Sequence, residues 1–405
     1  MFLDYTGHRI YKPTLILPGS KSESNRALIL AQFIDKLTIS NLSTADDTKV
    51  MQEALQKNSG TIDIGHAGTA MRFLTAYYAV SDNADFILTG SQRMQERPIK
   101  LLVEALQALG ANIQYLNKEG YPPLKIKGQT LTKNTVSIQA GISSQYISAL
   151  MLVGAFMQGG LEIHLKGPMT SLPYLRMTAA LMESLGISLE FLKDRIVIAP
   201  YNQTSMAPRP INIESDWTLA SYHYSVLALS PVGSSMTLKH FRENSWQGDQ
   251  KLTEIYKTFG VETEFLPQHA VRLTKRSEVQ VTDVHLDLNP NPDLAQTIAV
   301  TCLGLGIHAY LSGLHTLTIK ETDRLQALKA EMEKLGADVD ITASTLALKS
   351  PENLNAKVRV QTYGDHRMAM AFAALALKTP VFIENSEVVS KSYPEFWNNW
   401  EKMFK

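Results

Sequence analysis

The amino-acid sequence predicts an α/β fold of two similar domains, each made of three βαβαββ-type repeats around buried parallel helices (an inside-out α/β barrel). Three observations support this prediction. The chain has 405 residues, which corresponds to between two and three domains. Two kinds of helix recur along it, and strands with one polar face follow the second kind. We expect the domains at 19–212 and at 1–18 plus 213–405, with 207–210 as the stiff, proline-containing crossing.

The first kind of helix is apolar on nearly every side. Such a helix must be covered on all sides, so three of them packed together inside small sheets would complete one domain. One large α/β sheet without internal symmetry remains the alternative. The six predicted buried helices are 22–34, 68–80, 144–157, 217–229, 293–305 and 366–377.

The second kind of helix is amphipathic and predicted to lie on the surface. Four of these helices run into Gly, at 110, 186, 260 and 336, where Gly suits a helix C-terminus. After each Gly the residues alternate between apolar and polar, which predicts strands near 111–116, 187–192, 261–265 and 337–341. The six predicted surface helices are 46–57, 98–109, 173–185, 248–259, 323–335 and 393–404.

Charge and cysteine content exclude several classes of function. Lys plus Arg total 39 and Asp plus Glu total 39, and this balance argues against nucleic-acid or membrane-surface partners. The single cysteine, Cys302, cannot form an internal disulfide or a thiolate zinc site, which fits a reducing compartment. The N-terminal residues lack the pattern of a signal or transit peptide. We therefore expect a soluble cytoplasmic protein.

Charged and polar residues gather where the predicted buried helices begin. A helix N-terminus presents free N–H groups and the positive end of the helix dipole, so it favours an anion. If the helices of each domain are parallel, these ends meet at one face, and two such faces would form a cleft between the domains. Seven basic residues lie near these starts: Lys21, Arg26, Arg97, Lys320, Arg324, Arg367 and Lys391.

Structural interpretations of the same residues remain open. Ser22, Thr69 and Ser144 would serve as helix N-caps, as would Asp293. Asp323 would complement a helix dipole, and His366 would be a hydrogen-bonded core histidine. The recurrence of the same residue types at the same end of the buried helices favours a binding site. Spacing excludes a P-loop, a dinucleotide-binding loop and an HExxH zinc site.

Five segments spread over nearly the whole chain carry a more specific signal. They are LPGSKSESNR at 17–26, AGTAMR at 67–72, LTGSQRMQERP at 88–98, KETDR at 320–324 and DHRMA at 365–369. In this order they resemble the 5-enolpyruvylshikimate-3-phosphate (EPSP) synthases, the 3-phosphoshikimate 1-carboxyvinyltransferases. The resemblance implies transfer of the enolpyruvyl group of phosphoenolpyruvate to shikimate 3-phosphate in aromatic amino acid biosynthesis. It also implies a monomer that closes on its substrates and needs no metal or organic cofactor.

The resemblance also assigns the site residues by position. It implies Asp293 as the general base, Glu321 as the group that exchanges a proton with the methylene carbon, and Lys21 and Lys391 as further catalytic residues. Shikimate 3-phosphate would be bound by Lys21, Ser22, Arg26, Ser143, Ser144, Gln145, Ser171, Tyr174, Asp293 and Lys320. Phosphoenolpyruvate would be bound by Lys21, Gly68, Arg97, Gln145, Arg324, Arg367 and Lys391.

Three residues depart from the commonest pattern of this family. His66 stands where an Asn is usual, Phe73 replaces a Pro, and Thr316 replaces an Asn. We expect His66 and Phe73 to alter the affinity for phosphoenolpyruvate and the sensitivity to glyphosate.

Two other functions fit this sequence less well. A UDP-N-acetylglucosamine enolpyruvyl transferase would carry a cysteine on a loop, whereas Cys302 falls in a predicted core helix. A non-catalytic anion-binding protein of the same fold would be expected to have lost Asp293, Glu321 or Lys391, and all three are present.

Overall fold

The structure is a computed structural model that describes residues 1–202 and 207–404. The chain divides into two compact units, Gly19–Ile213 and Met1–Pro18 with Glu214–Lys405. The α-helices are α1 Lys21–Leu30, α2 Asp46–Leu55, α3 Gly68–Val80, α4 Gln92–Gln95, α5 Lys100–Leu109, α6 Ser144–Gly154, α7 Leu172–Ser184, α8 Trp217–Ala228, α9 Leu252–Thr258, α10 Ala295–Leu305, α11 Arg324–Lys334, α12 His366–Ala373 and α13 Phe396–Phe404.

The strands are short, as a repeat with small sheets requires. They are β1 Phe2–Leu3, β2 Thr14–Ile16, β3 Leu37–Ser40, β4 Gly60–Asp63, β5 Asp85–Thr89, β6 Asn112–Tyr115, β7 Leu124–Lys127, β8 Thr135–Gln139, β9 Leu161–Lys166, β10 Leu189–Phe191, β11 Arg195–Ile198, β12 Arg209–Asn212, β13 Ser235–Lys239, β14 Val261–Leu266, β15 Ala270–Lys275, β16 Asp283–Asp287, β17 His308–Ser312, β18 Asp338–Ile341, β19 Leu346–Lys349, β20 Val358–Val360 and β21 Val381–Ile383.

The predicted βαβαββ repeat is confirmed for two of the three repeats expected in the unit Gly19–Ile213, and the third sheet has only two strands in the described residues. Its four-stranded sheets have the orders β4-β5-β7-β6 and β8-β9-β11-β10. In each, the first two strands are parallel and joined by a buried helix, while the last two form an antiparallel pair. A parallel pair needs such a crossover connection. The first and last strands of the unit, β3 and β12, pair with each other in parallel.

The second unit repeats this arrangement. Its sheets have the orders β2-β13-β15-β14, β16-β17-β19-β18 and β1-β21-β20. The same order of parallel and antiparallel pairs recurs in both four-stranded sheets. The chain is therefore a mixed α/β protein with repeated small sheets.

The six predicted buried helices all form, and within each unit three of them contact one another: α1, α3 and α6 in one, α8, α10 and α12 in the other. In α8 every residue except Thr218 is buried, as an all-round apolar helix requires. Some ends differ from the prediction. The helix expected at 293–305 begins with a 3₁₀ turn, Pro292–Leu294, and the one expected at 366–377 ends with another, Ala374–Leu377.

The starts of the helices gather at one end of each unit. Arg26 in the second turn of α1 donates to Ser148 of α6 and Thr178 of α7, at 3.1 and 2.7 Å. In the other unit, Arg324 at the start of α11 and Arg367 in α12 both bond to Asp293, just before α10. The expected meeting of helix N-termini is therefore confirmed within each unit.

Most of the expected N-caps are wrong. The caps of α1 and α6 are Ser20 and Ser143, one residue before the helix, and Ala67 precedes α3 without a side-chain cap. Ser22, Thr69 and Ser144 therefore lie in the first turns. Asp293 caps no helix because its carboxylate pairs with arginines.

Two other expectations about these elements hold. Asp323 lies at the N-terminus of α11, where its charge complements the helix dipole as expected, and it also caps the helix by accepting from the N–H groups of Leu325 and Gln326. Cys302 is confirmed as a core residue, and burial raises the pKa of its thiol to about 12. In the part of the chain that the structure describes, no helix combines the length and apolar character needed to cross a membrane.

Candidate active site

Two cationic side chains mark the start of α1. Lys21 is the first residue of the helix, and its Nζ lies 3.2 Å from the Asp47 carboxylate. The Arg26 guanidinium is only 2% exposed, and it donates to the Ser22 carbonyl at 2.8 Å besides its bonds to Ser148 and Thr178. Burial lowers the pKa of Arg26 to about 10, while Tyr174 and Glu23 oppose this shift. Arg26 thus ties α1 to α6 and α7, whereas Lys21 is partly open to solvent.

Gly68 lets Arg97 approach the start of α3. A Cβ at Gly68 would lie 2.8 Å from Arg97 Nη1 and 3.1 Å from its Cζ, too close for any side chain to fit without movement. Arg97 is 8% exposed, and its buried Nε has no hydrogen-bond partner among the described residues. A guanidinium and a helix N-terminus both attract negative charge, so their proximity favours an anion between them.

The remaining predicted residues of this unit lie at the starts of α6 and α7. Ser143 caps α6, and the Gln145 side chain donates to Thr69 of α3 at 3.1 Å. Ser171 precedes α7 in the left-handed backbone region, with φ of 53°. Tyr174, in the first turn of α7, is half-buried near Arg26. The structure therefore places the predicted residues of this unit around the starts of α1, α3, α6 and α7.

The structure shows the contacts and the burial of the three residues that depart from the family pattern. His66 lies just before α3, with Nδ1 2.9 Å from Ser91 Oγ. Phe73 packs under Arg26, whose Cζ is 5.2 Å from the centre of the ring. Thr316 is 7% exposed, and its hydroxyl has no hydrogen-bond partner among the described residues.

In the other unit, five predicted residues form one compact group, which we name the Asp293 cluster (Asp293, Lys320, Glu321, Arg324 and Arg367). Asp293 Oδ1 lies 3.1 Å from Arg324 Nη1 and 4.0 Å from Lys320 Nζ. Its Oδ2 lies 2.9 Å from Arg367 Nη2. Glu321 Oε2 lies 2.9 Å from Arg324 Nη2. One carboxylate is therefore shared by three cations.

These contacts set the protonation of Asp293. Burial acts to raise the pKa of its carboxyl group, but Arg367, Lys320 and Arg324 hold that pKa well below its usual range. Glu321 opposes them weakly. Asp293 is therefore ionised at neutral pH.

Arg324 joins the cluster to the start of α12. It is 2% exposed, and its Nε lies 2.7 Å from Asp365, which caps α12. Burial acts to lower the pKa of Arg324, yet Asp365, Glu321 and Asp293 together raise it. Three anions thus fix this cation in one position.

Lys391 lies in the 3₁₀ helix Ser386–Lys391, and its Nζ donates to the Gly364 carbonyl at 2.6 Å. Tyr363 and Gly364 both have positive φ, 53° and 65°. The segment they form leads directly into Asp365 and Arg367. Lys391 is therefore linked to the Asp293 cluster through the chain that precedes α12.

Comparisons with known proteins agree with this picture. The sequence profile of the family EPSP synthase (3-phosphoshikimate 1-carboxyvinyltransferase) matches residues 56–400. A 3-phosphoshikimate 1-carboxyvinyltransferase of Bacteroides fragilis is 43% identical over 398 residues, covering 96% of this chain and 95% of the relative. The chain belongs to the EPSP synthase family. The resemblance inferred from the motifs is thus confirmed.

More distant members of the EPSP synthase family agree. The 3-phosphoshikimate 1-carboxyvinyltransferase of Xenorhabdus nematophila is 34% identical, covering 96% of each chain. The solved structure of EPSP synthase from Acinetobacter baumannii matches with a TM-score of 0.78 at 18% identity, over 100% of this chain and 98% of that one. At 18% identity the structural match supports a shared fold and nothing further.

Sequence reasoning missed three acidic residues that support the candidate site: Asp47 beside Lys21, Asp249, and Glu331. The Asp249 carboxylate accepts a hydrogen bond from the Asn291 side-chain amide at 3.0 Å, and the Glu331 carboxylate accepts one from the Tyr363 hydroxyl at 2.6 Å. Asp47 and Asp249 both stand at the start of a predicted surface helix, as Asp323 does, and this shared position was the available signal. Among the described residues, no group of three His, Cys, Asp or Glu could hold a metal ion.

Proposed function

We infer that this protein transfers the carboxyvinyl group of phosphoenolpyruvate to the 5-hydroxyl group of shikimate 3-phosphate and releases inorganic phosphate. The observation that carries this is the Asp293 cluster, in which one ionised carboxylate is surrounded by three cations within a chain of the EPSP synthase family. The two substrates bring two phosphates and two carboxylates together, and such charge needs several fixed cations. The protein would thus act in aromatic amino acid biosynthesis, the shikimate pathway.

We propose that both units contribute residues to this reaction, with the domains at 19–212 and at 1–18 plus 213–405, and that the protein acts as a monomer in the cytoplasm. The unit that contains Lys21 would bind most of shikimate 3-phosphate. Its helix N-termini and hydroxyl groups suit a phosphate. The proposed residues are Lys21, Ser22, Arg26, Ser143, Ser144, Gln145, Ser171 and Tyr174, with Asp293 and Lys320 on the ring hydroxyls.

Phosphoenolpyruvate would be held mainly by arginines. A guanidinium binds a carboxylate or phosphate through two parallel hydrogen bonds, which fixes both position and orientation. Arg97 beside Gly68 is suited to this because its Nε has no partner among the described residues. The proposed residues are Lys21, Gly68, Arg97, Gln145, Arg324, Arg367 and Lys391.

Asp293 would act as the general base. Its carboxylate is ionised, so it can accept the proton of the attacking hydroxyl, but its three cations make it a weak base. Anionic phosphoenolpyruvate at Arg324 and Arg367 would draw these cations away and raise the pKa of Asp293. Asp293 would therefore become a stronger base only when phosphoenolpyruvate is bound. Proton transfer requires a separation of about 3 Å from the hydroxyl group.

Glu321 would exchange the other proton, and it must enter this step in its protonated form. Donation to the methylene carbon of phosphoenolpyruvate gives the adjacent carbon cationic character, which nearby carboxylates stabilise. The shikimate oxygen then attacks this carbon and forms a tetrahedral intermediate. When phosphate leaves, Glu321 takes a proton back from the methyl group and the vinyl group is regenerated. Lys21 and Lys391 would compensate the charge on the departing phosphate.

Phosphate release from the purified protein tests this function. The reactions contain phosphoenolpyruvate and no added metal, with shikimate 3-phosphate, with UDP-N-acetylglucosamine, or with no acceptor. We expect release only with shikimate 3-phosphate. Release only with the UDP-sugar would overturn the acceptor assignment, and no release with either would overturn the activity.

A further inference from the structure

Asp249 is a buried carboxylate next to the Asp293 cluster that takes no part in the steps above. It lies in the 3₁₀ helix Gly248–Lys251 and is 4% exposed. One of its oxygens accepts from the Asn291 side-chain amide at 3.0 Å, and the other accepts from the Thr218 hydroxyl. A buried carboxylate is retained only when such partners compensate the loss of water. Asp249 therefore connects the start of α8 with the segment that carries Asp293.

Asn291 makes this connection. It stands at the N-cap position of the turn Pro292–Leu294, where an Asn side chain would normally accept from the backbone of that turn. Here the side chain makes no such bond and donates to Asp249 instead. The Asn291 backbone still belongs to the turn, since its carbonyl accepts from Leu294 N–H at 3.1 Å. Asp249 therefore holds the side chain of the residue from which the turn begins.

The charges around Asp249 support this proximity. Burial, together with the repulsion of Asp293, raises the pKa of Asp249 to about 6. The hydrogen bonds from Thr218 and Asn291 and the charge of Arg367 oppose this shift. Arg367 also binds Asp293 through its carboxylate at 2.9 Å and its carbonyl at 3.2 Å. Arg367 thus binds Asp293 and acts on Asp249 through its charge.

We propose that Asp249 is a positioning residue for Asp293: its bond to Asn291 holds the Pro292–Leu294 turn so that the Asp293 carboxylate faces Arg367 and the attacking hydroxyl group. This rests on the proposed function, in which Asp293 is the base. Asp249 acts through Asn291 and touches neither substrate. The bond to Thr218 anchors Asp249 on α8 but does not reach the turn.

Steady-state kinetics of three variants test the proposal, with phosphoenolpyruvate and shikimate 3-phosphate as substrates. Asp249→Ala should lower kcat about 10- to 100-fold, since a misplacement of about 1 Å can cost about 100-fold. Asp249→Asn keeps an oxygen for Asn291 and should retain kcat within about threefold. The matched control Thr218→Val removes the other bond and should also stay within about threefold. Unchanged kcat in Asp249→Ala would overturn the proposal.

A double-mutant comparison separates positioning from general loss of structure. In the background of Asp293→Ala, Asp249→Ala should lower the residual rate by less than about twofold, because there is no base left to position. An undiminished loss in that background would overturn the proposal. If Asp249→Ala does not fold, Asn291→Ala breaks the same hydrogen bond from the other side and should lower kcat equally. Full activity of Asn291→Ala would overturn the proposal. An unmodified protein that releases no phosphate would instead refute the proposed function.

Discussion

At the scale of the residue, Asp293 shows how neighbours decide what a side chain does. Its position at the start of a helix predicted an N-cap, whereas the resemblance to the EPSP synthases implied a catalytic base. In the structure its oxygens meet Lys320 and Arg324, which belong to one segment, and Arg367, which belongs to another. Burial alone would raise the pKa of this carboxyl group, and these contacts keep it ionised in the folded chain.

Asp293→Ala should lower kcat at least about 100-fold and leave a small residual rate, because general bases contribute about that much or more. Binding of shikimate 3-phosphate should be weakened but still measurable by titration calorimetry. The control is Asp283→Ala, which removes an exposed carboxylate of the same unit. Near-normal kcat in Asp293→Ala would remove it from the role of base.

Gly68→Ala should raise the KM for phosphoenolpyruvate about tenfold, with a smaller effect on kcat. The new Cβ would lie 2.8 Å from Arg97 Nη1, so the guanidinium must move away from the start of α3. Initial-rate kinetics measure this. In the background of Arg97→Ala the same substitution should have little further effect, because the clash is gone. An equal rise in both backgrounds would contradict this account of Gly68.

At the scale of the element, the segment before α12 positions both Lys391 and Asp365. Tyr363 and Gly364 have positive φ, an arrangement that needs support from outside the segment. Glu331 of α11 is fully buried, and it accepts from the Tyr363 hydroxyl at 2.6 Å and from Gln361 N–H at 3.1 Å. A surface helix therefore holds the segment that carries part of the candidate site.

Glu331→Gln should lower the free energy of unfolding by about 1–3 kcal/mol, because the neutral amide cannot accept all of these hydrogen bonds. It should also raise the KM for phosphoenolpyruvate, since the Gly364 carbonyl that holds Lys391 would shift. Chemical denaturation and initial-rate kinetics provide the two measurements. Glu333→Gln, which removes an exposed carboxylate of the same helix, should change stability by about 0.5 kcal/mol or less. Equal effects of the two variants would argue against the role of Glu331.

At the scale of the whole molecule, buried polar groups between the repeats couple stability to pH. His223 of α8 is 1% exposed, and burial lowers its pKa to about 3. The unfolded chain binds a proton at this histidine below pH 6.5, whereas the folded chain does not until about pH 3. His223 therefore contributes a loss in the free energy of unfolding as the pH falls below 6.5, whereas the raised pKa of Asp249 contributes in the opposite direction.

This loss should amount to about 2 kcal/mol between pH 7.5 and pH 5, measured by chemical denaturation at each pH. His223→Gln has no titrating group at this position and should lack that part of the pH dependence. The control His285→Gln removes an exposed histidine and should keep the dependence of the unmodified protein. If His223→Gln shows the same pH dependence as the unmodified protein, His223 is not the source of that dependence.

Much of the architecture could be predicted from local patterns. The buried helix predicted at 68–80 is α3, Gly68–Val80, residue for residue, because apolar periodicity depends only on near neighbours in sequence. Helix ends were less predictable, as the 3₁₀ turn before α10 shows, since caps depend on competing partners. Most members of the candidate site were predicted through motifs, whereas Asp249 and Glu331 were missed because they belong to no motif.

The sequence by itself determined the repeat, the two kinds of helix, the family and the identity of most charged residues at the helix starts. Only the tertiary structure decided which of these charges meet. Asp293 and the Arg367 side chain are 74 positions apart, and Asp249 and Asn291 are 42 apart. Their contacts depend on how separate repeats pack, and their pKa values depend on burial, which is a property of the folded chain.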